Sequence, residues 1–395
     1  MGEFPSGQRG QTVNLLAMPS VVRIHLPPPS TAERQCLFYD LNRSDRQEVR
    51  KLTIQGGYRK YGEISFLRGV AITTIVLMHL IQVYWNGGEI PMWLRFAASL
   101  GGTGGHVFIF CSGFGLYLSY LHRPQRFGGF LKKRFVKIYI PYLIFMIIAF
   151  FLPHGTVDEW ARFRALLSHV FLYKMFFEKY VCSFGLQLWF ISTIIQLYLL
   201  FIPLCRLREK TSARTLLILS AAISAVWWVA MYLTGLQEKR IWGSFCLQYL
   251  WEFVFGMMAA EYMFRHDRIR IPVWSLLLLT VCGLGLQAVT ARLGGIFAAC
   301  NDIPALFGYG SAVLLLCRFG KHLLRPAFLW IDGISFEWFL VHVDAIMWAY
   351  HFARQMTEIE LIRALIATAF SLAAAWIFSR LVRLVMRRLP LGDSK

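Results

Sequence analysis

The sequence predicts an all-α polytopic membrane protein of about ten transmembrane helices, with both termini in the cytosol. Three observations carry that expectation. Of 395 residues, 57% are hydrophobic and only 16% charged, with a mean hydropathy of +0.51, whereas a soluble domain carries about 25% charged residues. The apolar residues fall in runs of roughly 18 to 25, long enough to cross about 30 Å of hydrocarbon as helices. Lysine and arginine collect between alternate runs, and the positive-inside rule reads orientation from such loops.

The runs cover roughly 64–85, 97–120, 135–152, 186–205, 214–234, 244–264, 273–291, 299–317, 328–350 and 360–385. Between the second and third lie Arg123, Arg126, Lys132, Lys133, Arg134 and Lys137. Arg206, Arg208, Lys210 and Arg214 follow the fourth, Arg265, Arg268 and Arg270 the sixth, and Arg318, Lys321 and Arg325 the eighth. The tail adds Arg380, Arg383, Arg387 and Arg388. All of these fall on one side of a ten-span chain, which places both termini there. The intervening loops are short or charge-balanced, and the longest, about 153–185, contains an amphipathic stretch from Trp160 to Lys179 suited to the membrane interface.

The formal net charge of +19 does not imply nucleic acid, because the cations sit in loop clusters and form no single patch with exposed aromatics. The eight cysteines contain no C-x-x-C pair and lie mostly inside runs, where a cysteine behaves as a small hydrophobe. Neither a disulfide framework nor a metal site is indicated, and no permanently bound cofactor.

Residues 1–57 are polar and lack the charged-then-apolar pattern of a signal peptide. They read as a disordered cytosolic tail or as a stretch not natively translated. The second reading comes from the genetic code. VVRIHLPP back-translates into the GGTTCGAATCC of a tRNA T-arm, and Gln47, Glu48 and Val49 allow a ribosome-binding sequence just before Leu52. Residues 58–390 form a single membrane domain.

Ionisable groups inside a span cost a few kcal/mol or more, so each is a candidate functional residue. The first span, SFLRGVAITTIVLMHLIQVY, holds Arg68 and His79. Eleven residues place them about 16 Å apart along a helix and about 20° apart around it, on one stripe. An arginine at the entrance suits a phosphate-bearing ligand, and a histidine in a dry cavity can take a hydroxyl proton. The second span brings His106 and Ser112 among many glycines, which also permit close helix packing. The sixth carries Glu252, and the ninth carries Ser335, Glu337, His342 and Asp344. Five residues separate Glu337 from His342, about 140° around a helix, so the two need not face one cavity.

Over residues 58 to about 385 the chain resembles the acyltransferase 3 family of bacterial membrane acyltransferases. Its landmarks appear in the family's order: LRGVAITTIVLMHL with the Arg-x10-His pattern at Arg68 and His79, HVFIFCSGFGL, KKRFVKIYIPY, LWFISTIIQLYLLFIPL beginning near Trp189, and SFEWFLVH. The second basic position of the third landmark is Lys137 where the family pattern has arginine, which turns a bidentate contact into a point charge.

The resemblance implies O-acylation at the bacterial inner membrane, with acyl-CoA, usually acetyl-CoA, as a cytosolic co-substrate. The implied acceptor is a hydroxyl of a carbohydrate or glycan. Arg134 and Lys137 would hold coenzyme A phosphates and Arg68 would extend that path inward. His79 would act on the acceptor hydroxyl, with Glu252 or Glu337 as its acidic partner. His106, Ser112, Trp189 and His342 are the remaining candidates for substrate contact. A transporter or flippase for a polar or anionic substrate is the alternative; its pointers would be inverted repeats and paired interrupted helices, and neither is visible.

Overall fold

A computed structural model describes residues 61–84, 91–152, 159–266, 269, 271–320 and 322–388. The N-terminal segment, including the suggested start near Leu52, lies outside the described residues. The described chain is helical throughout, without a strand.

Twelve helices, among the described residues, surround the ionisable groups. They are α1 (Gly62–His79), α2 (Gly104–His122), α3 (Phe127–Phe151), α4 (Glu159–Val170), α5 (Trp189–Lys210) and α6 (Ala213–Leu233). The second half of the chain supplies α7 (Leu250–His266), α8 (Val273–Leu293), α9 (Asp302–Phe319), α10 (Leu324–Asp332), α11 (Ser335–Met356) and α12 (Glu360–Arg388).

Eight helical segments, among the described residues, are long and apolar enough to cross a membrane. The other two expected spans coincide with α7 and with the α10–α11 pair. The α7 helix has only 17 residues and carries Glu252 and Glu261, and α11 buries Glu337, His342 and Asp344. The expected span at 328–350 is broken: α10 ends at Asp332, and Gly333 and Ile334 turn the chain before α11 begins. The amphipathic stretch from Trp160 forms a continuous helix only to Val170; Leu172, with φ 61°, breaks it before short helical turns at Tyr173–Phe176 and Glu178–Val181.

Glycine sets the tightest helix pair. A methyl group on Gly113 of α2 would lie 2.0 Å from the Phe253 carbonyl oxygen, and one on Gly256 of α7 would lie 2.1 Å from that of Phe110. Only hydrogen fits there, so the α2 and α7 backbones touch in the small-residue manner of membrane helices. The two helices run in the same direction, since His106 meets Glu252 and Phe110 meets Gly256. The α1 helix likewise runs alongside α10 and α11: Gly69 abuts Phe328, Arg68 meets Asp332, and His79 meets His342. Same-direction neighbours such as these are what the even and odd members of an alternating bundle supply.

The core is aliphatic and aromatic, with Phe66, Ile72, Tyr142, Phe145, Phe253 and Trp338 at 2% exposure or less. The α8 helix by contrast turns Leu278, Val281 and Val289 outward, as a hydrocarbon-facing helix does.

Two π-helical turns interrupt the regular rods. One, Leu80–Tyr84, directly follows His79; the other, Phe135–Tyr139, contains Lys137. Such bulges re-aim side chains and recur at functional positions.

Candidate active site

A large cavity opens at the end of the bundle where α1 begins. It encloses about 1410 Å³, open mouth included, between α1, α2, α3, α5 and α11. Five of the sequence candidates line it: Arg68, Ser112, Arg134, Lys137 and Glu337. Three cations and two carboxylates, Asp332 and Glu337, face the space, which leaves one positive charge in excess.

The broken rod between α10 and α11 is what positions Arg68. Asp332, 2% exposed, places Oδ1 3.2 Å from Arg68 Nε. Arg68 Nη2 donates to Ser335 Oγ at 3.2 Å, and the Ser335 hydroxyl donates to the Asp332 backbone carbonyl at 3.0 Å. The guanidinium also lies over Phe108, 6.0 Å from the ring centre, a cation–π contact. Arg134 lies over Phe130 at 5.7 Å. Lys137, in its π turn, interacts electrostatically with Arg134, Arg68, Glu337 and Asp332. An anion with several phosphate groups fits these three cations, Arg68 offering a planar fork and Lys137 a point charge.

His79 does not line this cavity. It lies three turns further along α1, with its ring 5.2 Å from that of His342 and tilted 43° to it. His342 is fully buried, and its Nδ1 donates to the backbone carbonyls of Phe339 (2.9 Å) and Trp338 (3.1 Å). Those bonds put the His342 proton on Nδ1 and leave Nε2 as a buried acceptor without a partner. His79 Nδ1 is also buried without a partner. The neighbour of His79 is therefore a second histidine. Glu252 instead binds His106, and Glu337 faces the cavity.

His106, Glu252 and Trp189 belong to another cluster. His106 Nδ1 donates to Glu252 Oε1 at 2.7 Å, and Nε2 stands 3.6 Å from Asp302 Oδ1. Gln248 Nε2 donates to Asp302 Oδ2 at 2.5 Å. Tyr249 packs against His106 at 5.6 Å and stacks on Trp189 at 5.8 Å, with Arg240 over the Trp189 ring. His106, Glu252 and Asp302 offer ligand atoms within 4.8 Å of one another, so this cluster can hold a metal ion.

The loop between α3 and α5 holds two further ionisable groups. Lys174 is fully buried, donates to the Leu188 carbonyl at 2.7 Å, and burial pulls its ammonium down to about 7. Burial holds His169 well below the usual imidazole range, and its ring bonds Tyr142 Oη at 2.6 Å.

Sequence reasoning missed Asp332, Asp302, Gln248 and Tyr249. Asp332 carried a usable signal, an aspartate inside an apolar run three residues before Ser335; Asp302 lies near the edge of its run, where a carboxylate costs less and so signals less.

A family profile described as an acyltransferase domain matches residues 61–380. No curated protein and no solved structure matches the chain. The matched region contains the cavity, the His79–His342 pair and every helix from α1 to α11, so the chain belongs to the acyltransferase 3 family and is a multi-pass membrane acyltransferase.

Proposed function

We propose that this protein transfers an acetyl group from cytosolic acetyl-CoA to a hydroxyl of a carbohydrate or glycan at the bacterial inner membrane. The observation that carries the reading is the meeting of Arg68, Arg134 and Lys137 at one cavity, with His79 on the same stripe as Arg68. The donor's phosphates rest on the three cations, and its long flexible arm carries the thioester along α1 toward His79. The basic loops support a cytosolic cavity mouth and cytosolic termini through the positive-inside rule.

In the transfer step, His79 removes the proton of the acceptor hydroxyl as that oxygen attacks the thioester carbonyl. A C–O bond forms, the C–S bond breaks, and the departing thiolate takes the proton back from the imidazolium. His342, whose Nε2 is a buried acceptor beside the His79 ring, takes a hydrogen bond from the second N–H of His79 as the imidazolium forms and so stabilises it. Holding donor and acceptor in one dry site supplies the entropic share of the acceleration.

Binding of coenzyme A and of pantetheine, which lacks the nucleotide phosphates, tests the donor assignment. Coenzyme A should bind at least tenfold more tightly, with an advantage that shrinks as salt rises. Equal binding of the two, unaffected by Arg134→Ala or Lys137→Ala, would remove the cations from the donor site.

A further inference from the structure

We propose that His106 and Asp302 ligate a divalent transition-metal ion of the zinc type, oriented by Glu252 and Gln248. His106 comes from α2, Glu252 from α7 and Asp302 from the first turn of α9.

The hydrogen bond from His106 Nδ1 to Glu252 Oε1, 2.7 Å, places a ring proton on Nδ1, so the neutral imidazole that a metal would bind carries its lone pair on Nε2. That lone pair stands 3.6 Å from Asp302 Oδ1, too far for a hydrogen bond. Two ligands each about 2.0–2.2 Å from one zinc ion at a near-tetrahedral angle stand about 3.4 Å apart. The observed gap matches the spacing of two ligands on one ion. Gln248 holds the other Asp302 oxygen, Oδ2, at 2.5 Å and leaves Oδ1 for the ion. A metal-bound histidine typically donates its second N–H to a carboxylate, and its fellow carboxylate ligand is itself hydrogen-bonded. Both features are present.

A second observation points the same way. Glu252 Oε2 and Gln248 Oε1 are buried acceptors without partners, in residues 0% and 5% exposed. The cluster thus has more acceptors than donors, around two carboxylates inside a membrane domain, where uncompensated negative charge is expensive. A dication offsets that charge and pins three helices together. The His106 side chain is 17% exposed, which leaves coordination positions for water or another oxygen ligand.

The test is metal content and zinc affinity of the purified full-length protein after chelator treatment, with thermal stability as a parallel readout. Wild type should take up about one equivalent of zinc and melt higher with it. His106→Gln and Asp302→Asn should bind at least tenfold more weakly and lose the melting shift, and Glu252→Gln should bind about 10- to 100-fold more weakly. Should the variants fail to fold, X-ray absorption on the wild type decides, because seven described cysteines are free thiols and adventitious zinc would favour sulfur. A nitrogen–oxygen shell supports the site. A sulfur-containing shell, no uptake of zinc or manganese by folded wild type, or undiminished uptake by Asp302→Asn would each overturn it.

Discussion

Asp332→Asn separates two jobs that Arg68 performs in the cavity. Asp332 Oδ1 and Arg68 Nε are 3.2 Å apart, with side chains 2% and 23% exposed. At an effective dielectric constant near 20, the attraction is about 5 kcal/mol before desolvation is counted. Truncating one partner of a buried pair commonly costs about 3–5 kcal/mol; the partial exposure of Arg68 and the remaining Ser335 bond put this case at the low end.

The substitution also removes one of the two carboxylates facing the cavity and so raises its positive excess. Binding of coenzyme A should then hold or tighten, with a steeper salt dependence. Turnover should fall, because the ion pair no longer aims the guanidinium; on the order of 1.5–3 kcal/mol, at or below the low end of the range for breaking a buried pair, is lost. That corresponds to about a 10- to 150-fold loss in kcat. In an Arg68→Ala background the same change should add almost nothing, because its target is gone. Equilibrium binding of coenzyme A across a salt series, with kcat for the four proteins of the cycle, reads out every term. Weaker coenzyme A binding with unchanged kcat, or additive losses in the double variant, would refute the role assigned to Asp332.

Three further outcomes follow from the geometry. His342→Ala should lower kcat about 10- to 100-fold with donor KM unchanged, and His342→Gln should recover part of the loss through its amide oxygen; an equal fall with glutamine would point to packing alone. Gly256→Ala forces a methyl group against the Phe110 backbone and should cost about 1–3 kcal/mol, seen as a lower melting temperature. Gly128→Ala, with nothing within 4 Å, is its neutral control. Lys174 loses its proton near pH 7 in the folded protein but near 10.5 when unfolded. The unfolded chain therefore holds more protons between those values, and stability should rise with pH across that window. His169, held neutral beside it, adds a loss below about pH 6.5. Lys174→Met should flatten the upper rise, and an unchanged melting profile would count against the buried lysine as its source.

The helical bundle was legible because hydrocarbon length and loop charge are one-dimensional signals. The meeting of Arg68, Arg134 and Lys137 at one cavity was signalled by the family resemblance, which set all three along one path, and not by the runs alone. The pairing of the acidic residues was not legible. Glu252 and Glu337 are equally plausible partners for His79 along the chain. Their separation depends on the α2–α7 contact at Gly113 and Gly256, which brings Glu252 to His106. The break at Gly333 and Ile334 was equally hidden: the run from 328 reads as continuous, yet the turn there sets Asp332 and Ser335 against Arg68. The 140° between Glu337 and His342 was readable, and the structure uses it, with Glu337 at the cavity and His342 at His79.

Acetyl transfer or thioester hydrolysis by purified, detergent-solubilised protein given radiolabelled acetyl-CoA, with wild type compared to His79→Ala, decides whether His79 is the base of an acetyl transfer. His79→Ala should lose about 10²- to 10⁴-fold in rate while it still melts like wild type and still binds coenzyme A. Turnover by His79→Ala at the wild-type rate would contradict that role.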